Sequence, residues 1–237
     1  MEEKVIQSAS AFNNNKWQDR LYLVLAGIFI ASLVASNLIF QKFFYWIPFS
    51  DYTFELSVGI LPYPVTFLIT DIISEIYGRE KANRVVASGF IASVFIMVIV
   101  SIADFAPATQ WSPVDDTTFH NVFGLFGPAI IASLTAYVTA QFIDIRIFHF
   151  WKNLTRGKHL WLRNNGSTIF SQLVDTSAVL LLLCSFGVID WIRFLPLLTN
   201  GFLFKVVVAL IDTPFFYLLS HLLRKVFQLK LGEELTE

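Results

Sequence analysis

An all-α, polytopic membrane bundle of six transmembrane helices, with both termini in the cytoplasm, is the fold class this sequence predicts. Three observations predict it. The 237 residues are 55% hydrophobic and only 15% charged, with mean hydropathy +0.62, against about 45–50% and about 25% in ordinary soluble domains. Charges punctuate the chain so that residues 21–41, 85–103 and 117–143 contain no Asp, Glu, Lys or Arg. Basic residues fall overwhelmingly on alternate connections. A soluble enzyme is excluded by the first observation, and disorder by the abundance of Phe, Leu, Ile and Val.

Each uncharged run is long enough for a helix across the hydrocarbon core, which needs roughly 20 residues. Three further runs, 58–77, 168–189 and 194–223, are apolar but interrupted by charge. The segment Val94-Phe95-Ile96-Met97-Val98-Ile99-Val100 does not alternate, which argues against barrel strands. The polar first twenty residues and the long first apolar run do not read as a cleaved signal. The expected organisation is a cytoplasmic segment 1–20, a membrane domain 21–223 and a cytoplasmic tail 224–237.

Orientation follows from the basic residues. Lys4, Lys16 and Arg20 precede the first span. Arg79, Lys81 and Arg84 follow the second; Arg146, Lys152, Arg156, Lys158 and Arg163 follow the fourth; Arg224, Lys225 and Lys230 follow the sixth. Only Lys42 and Arg193 lie in opposite connections, and Lys205 lies within a span. Both termini are therefore expected in the cytoplasm. All six tryptophans fall at span ends or in connections, where an indole keeps its ring apolar and its N–H wet.

Charge inside a span marks the candidate site, since a charged group at the bilayer centre costs roughly 2.5–3.5 kcal/mol even on lenient scales. Asp71 and Glu75 stand at i,i+4 on one face of the second span. Asp175 lies in the fifth, beside Thr168, Ser171 and Gln172, and Lys205 and Asp212 share a stripe of the sixth. Gln141 and Asp144 are expected to close the cytoplasmic end of the fourth. Three helices thus bring carboxylates to similar depth, with Lys205 as the nearby cation, which implies a polar cavity. Pro62, Pro64, Pro196 and Pro214 interrupt the same helices, and irregular backbone at membrane depth is tolerated where it borders a cavity. HExxH and Walker A sequences are absent, and the four histidines are scattered. No catalytic residue, metal site or cofactor is expected. One cysteine, Cys184, makes no disulfide framework, and 17 basic against 18 acidic residues give no field for nucleic acid.

Four segments resemble one family: Pro62-Tyr63-Pro64-Val65-Thr66-Phe67-Leu68-Ile69-Thr70-Asp71-Ile72-Ile73-Ser74-Glu75-Ile76-Tyr77-Gly78; Ala136-Tyr137 through Gln141 and Asp144; Leu160-Trp161-Leu162-Arg163-Asn164-Asn165-Gly166-Ser167-Thr168; and Ser171-Gln172-Leu173-Val174-Asp175-Thr176. The chain is similar in these to the six-span queuosine-precursor transporters, related to the vitamin-uptake group. The resemblance implies import of 7-cyano- and 7-aminomethyl-7-deazaguanine across the bacterial inner membrane for tRNA queuosine salvage. Its partners are then a small planar nucleobase-like substrate and the lipid bilayer, with a homo-oligomer or an energising partner left open. It implies substrate binding by Asp71, Glu75, Gln141, Asn165, Gln172 and Asp175. Glu75 or Asp175 is the expected acceptor for the paired N–H groups of a guanine-like edge, with amides donating to the ring carbonyl. Lys205 and Asp212 are the expected ion- or proton-coupling residues. The competing class is an integral-membrane enzyme acting on a lipid or isoprenoid, with Asp71 and Glu75 holding a divalent metal through oxygen.

Overall fold

The computed structural model describes residues 2–49, 52–124, 128–187 and 189–235, and is mostly helical. Helix α1 (Glu2–Ile39) leads into a two-stranded antiparallel hairpin, β1 (Phe43–Phe49) and β2 (Tyr52–Ser57). Sequence pattern alone leaves this connection a loop, yet Phe43, Phe44, Tyr45, Trp46 and Ile47 are residues that favour strands. Tyr45 pairs with Glu55 and Trp46 with Phe54, and the Trp46 ring meets Phe204 edge-on at 5.4 Å. A 3-10 turn, Val58–Ile60, follows the hairpin, and the Ser36 hydroxyl of α1 ties it down by donating to the Gly59 carbonyl at 2.5 Å.

Helix α2 (Tyr63–Ile76) is the hub of the bundle, packed against α1, α3, α5 and α7 and buried along nearly its whole length. Pro64 begins it rather than breaking it, because a first-turn residue has no intrahelical N–H bond to lose. At Gly78 the chain turns into α3 (Gly78–Phe105) with φ +85°, a conformation that favours glycine. A short helix α4 (Asp116–Phe123) follows; Asp115 caps it, and bonds from the Thr118 N–H hold the Asp115 carboxyl below its ordinary range.

The uncharged run 117–143, the fourth predicted span, is therefore not one helix. Residues 116–123 form α4, residues 125–127 lie outside the described residues, and α5 runs Pro128–Leu154. Gln141 and Asp144 consequently stand inside α5 rather than at its end. Charge-free length marks a helix boundary only where the next charge is solvated, and Asp144 is fully buried. Helix α6 (Leu160–Ser185) packs on α5 and on α7 (Phe194–Phe227). Pro214 sits inside α7 without ending it. The preceding Thr213 donates its hydroxyl to the Ala209 carbonyl at 2.9 Å.

Among the described residues, five segments are long and apolar enough to cross a membrane: Lys16–Ile39, Val58–Ile76, Gly78–Phe105, Leu160–Ser185 and Trp191–Phe227. The protein is a membrane protein. Beyond α7 the chain folds back, and the Leu235 N–H donates to the Ile76 carbonyl at 2.8 Å. Gly157 and Gly232, both at positive φ, meet where the tail crosses the α5–α6 connection; a Cβ on Gly157 would stand 2.7 Å from the Gly232 Cα.

Candidate functional site

The polar residues inside the bundle divide into three levels. Nearest the hairpin is a cavity of about 190 Å³ walled by α1, the hairpin, α6 and α7. A single water needs only about 10–15 Å³ of such space, so the volume suits a ligand of many atoms. Its walls are mostly apolar; Tyr63, Asp175, Thr176 and Lys205 form one polar group, and Ser36, Asn37, Glu55 and Ser57 add polar groups from α1 and the hairpin. Lys205 Nζ donates to Asp175 Oδ2 at 2.7 Å and to Thr176 Oγ1 at 3.0 Å, and lies 4.3 Å from the Tyr63 ring centroid. Tyr63 donates its hydroxyl to the same Asp175 Oδ2 at 2.5 Å. Asp175 Oδ1 is buried and has no hydrogen-bond partner among the described residues. One oxygen is thus doubly engaged and its twin is free to accept.

Behind this floor, Tyr137 stacks edge-on against Tyr63 at 5.1 Å and accepts from Gln141 Nε2 at 2.7 Å. Gln141 is completed by Thr70, whose hydroxyl reaches Gln141 Oε1 at 3.3 Å. At the middle level Asp71 faces Asp144 across the α2–α5 contact, each carboxyl within hydrogen-bonding reach of the other. Ser171 of α6 donates to Asp144 Oδ1 at 2.9 Å.

The third level is an ion cluster around Glu75, which is 0% exposed. Arg163 Nη2 donates to Glu75 Oε1 at 2.5 Å, Arg224 bonds the same oxygen, and Lys152 Nζ stands 3.7 Å from Oε2. Lys152 also reaches Glu234 of the tail at 2.8 Å. Burial of these charges is sustained by pairing and by carbonyls, since Arg163 Nη1 donates to the Gly157 carbonyl at 2.7 Å.

Of the residues the sequence singles out, Asp175 and Lys205 border the cavity and form an ion pair. Gln141 supports its floor through Tyr137. Asp71 pairs with Asp144, and Glu75 lies in the ion cluster, so neither borders the cavity. Asn165 holds α6 to α7 by donating to Thr213 Oγ1 at 2.9 Å. Gln172 is buried with its Oε1 unpartnered among the described residues, and Asp212 is partly buried outside the cavity. Lys205 is not the sole cation inside the bundle: Lys152, Arg163 and Arg224 also turn inward. Sequence reading assigns those three to solvated connections. Nothing in their spacing reveals otherwise, although Arg163 belongs to the Arg-Asn-Asn segment singled out above. Asp71 and Glu75, one turn apart, engage opposite kinds of partner and do not converge as a metal-holding pair would.

Residues 57–219 match the family described as "Putative vitamin uptake transporter". The chain belongs to this family. The match covers Tyr63, Asp71, Tyr137, Asp144, Asp175 and Lys205, so all of the cavity floor and the acid pair lie within the vitamin-uptake module. The hairpin up to Leu56 and the tail lie outside it. A Bacillus subtilis protein named "Probable queuosine precursor transporter" is 27% identical over 221 residues, covering 87% of this chain and 94% of its own length. A Haemophilus influenzae protein of the same name is 26% identical, covering 69% of each chain. An Escherichia coli "Queuosine precursor transporter" is 26% identical, covering 62% of this chain and 61% of its own. No solved structure matches.

Proposed function

We propose that this vitamin-uptake family member imports queuosine precursors, the 7-cyano- and 7-aminomethyl-7-deazaguanine bases, across the bacterial inner membrane. The names of the three relatives support this ligand class. The observation that carries it to particular atoms is the Asp175 carboxylate, with one buried oxygen that has no hydrogen-bond partner among the described residues, at the floor of a mostly apolar cavity. A guanine-like edge presents adjacent N–H donors that a carboxylate accepts, while apolar and aromatic walls receive the flat face. Asp175 is then the acceptor, in preference to Glu75, whose oxygens already face three cations. Gln141 and Gln172 support the floor, Asn165 fixes the α6–α7 seam, and Asp71 and Asp212 act away from the base. Lys205 links loading to charge, because a bound base competes with its ammonium for Asp175.

In this reading α5 is the sixth span. Its 27 residues reach across the hydrocarbon core, and its buried ionisable residues, Asp144 and Lys152, face partners rather than lipid. The excess of basic residues on one set of connections supports cytoplasmic termini, and with that orientation the cavity lies toward the hairpin side, facing outward. The protein acts as a carrier, not an enzyme. Binding of the purified protein to a panel of deazapurines and purines tests the proposal. The 7-substituted deazaguanines should bind best, and Asp175→Asn should abolish the preference; a panel without a binder overturns it.

A further inference from the structure

The Asp71–Asp144 pair has no role in the cavity and is not neutralised as Glu75 is. Asp71 is 2% exposed and Asp144 is 0% exposed. Asp71 Oδ1 and Asp144 Oδ2 both lack a hydrogen-bond partner among the described residues. Two ionised carboxylates are acceptors only, so facing carboxyls cannot satisfy each other unless a hydrogen stands between them. A proton on one oxygen supplies the missing donor and removes one of two like charges from a site that water does not reach.

The surroundings offer little alternative neutralisation. On α6, Arg163 is the cation whose charge acts on Asp71. Its Nη2 is on Glu75 and its Nη1 on the Gly157 and Lys158 carbonyls. Ser167, Thr168 and Ser171 offer hydroxyls from the same helix. On α2, Glu75 lies one turn further along, and on α7, Arg224 bonds Glu75. On α5, Tyr137 lies two turns before Asp144. Helices α1 and α3 contribute no charge between Arg20 and Lys42 or between Arg84 and Asp104.

We infer that Asp71 and Asp144 form a proton-binding site, one proton shared between two carboxyls, that couples substrate movement to proton movement. Position supports the coupling. Thr70, beside Asp71, bonds Gln141; Gln141, one turn from Asp144, bonds Tyr137; and Tyr137 borders the cavity with Asp175. A base displacing Lys205 from Asp175 therefore perturbs Tyr63, which bonds Asp175 and packs on Tyr137, and with it the Tyr137–Gln141–Thr70 hydrogen bonds that run beside the pair. The balance is one proton taken from water on the hairpin side and one released to water on the tail side per cycle, with both carboxyls unchanged afterwards.

Coupling rests on the transporter reading; the proton site itself does not, and the two are tested separately. The first experiment is infrared spectroscopy of the full-length protein in nanodiscs at neutral pH, without substrate. A protonated-carboxyl C=O band that disappears in both Asp71→Asn and Asp144→Asn is expected. Absence of the band from the unmodified protein, or its persistence in both variants, overturns the site. The second experiment is uptake of labelled 7-cyano-7-deazaguanine into proteoliposomes. In the double variant, uptake driven by an imposed pH gradient should fall at least about 10-fold while substrate exchange at equal pH survives. Unchanged gradient-driven uptake, or loss of exchange as well, overturns the coupling. A band without any deazapurine uptake by the unmodified protein defeats the substrate reading and leaves the proton site standing.

Discussion

Asp175 and Glu75 are both buried carboxylates touching a basic side chain, yet the regions around them are built to opposite ends. At the hairpin end Asp175 keeps one oxygen without a hydrogen-bond partner among the described residues, beside an open volume. At the tail end Glu75 also has one oxygen without a hydrogen-bond partner among them, but that oxygen faces Lys152 Nζ at 3.7 Å while the other meets Arg163 and Arg224. A buried ion pair is weak evidence of function by itself, because desolvation cancels much of its attraction. What separates the two is what surrounds the spare oxygen: one that faces a further cation holds helices together, whereas one that stands next to space can accept a ligand.

The largest expected effect tests the tail end. Glu75→Gln leaves Arg163 and Arg224 buried without their counter-charge, and breaking such a pair costs about 3–5 kcal/mol. A marked fall in the melting temperature of the purified protein is expected. Unchanged melting with lost uptake would move Glu75 into the functional half. Next comes Asp175→Asn, which removes charge-assisted bonds worth about 1.5–3 kcal/mol. Deazaguanine affinity should weaken about 10–100-fold, read by calorimetry, with a smaller change in melting than Glu75→Gln causes. Gly78→Ala should cost about 1–2 kcal/mol, because its φ of +85° disfavours a side chain and the new Cβ meets the Glu234 carboxyl. Melting should report that loss while substrate affinity holds. Smallest is Glu80→Gln, which removes an exposed i,i+4 pair with Arg84; it should shift stability by no more than about 0.5 kcal/mol.

How much of this was legible in the sequence depends on the kind of information each residue carries. Asp175 and Lys205 could be found because charge in an apolar run is rare whatever the packing. Their pairing with each other depends on how α6 rotates against α7, which no spacing within either helix encodes. Arg163, Lys152 and Arg224 were hidden for the opposite reason. They lie in segments rich in solvated basic residues, and only the fold-back of the tail and the entry of α6 turn them inward. Asp144 reads as the end of its helix because a charge normally marks a boundary, whereas here it is buried within α5. The hairpin escaped notice because a two-stranded ribbon has no amphipathic period long enough to stand out between two apolar helices.

The shortness of α2 carries one more consequence. Its 14 residues rise only about 21 Å at 1.5 Å each, less than the roughly 30 Å hydrocarbon layer. With the cavity opening outward as proposed, the electric field across the membrane is concentrated over the remaining thickness. At about 2.3 kcal/mol per elementary charge for every 100 mV, a proton passing between the proposed Asp71–Asp144 site and either face crosses part of that field, so membrane potential as well as pH would set its occupancy.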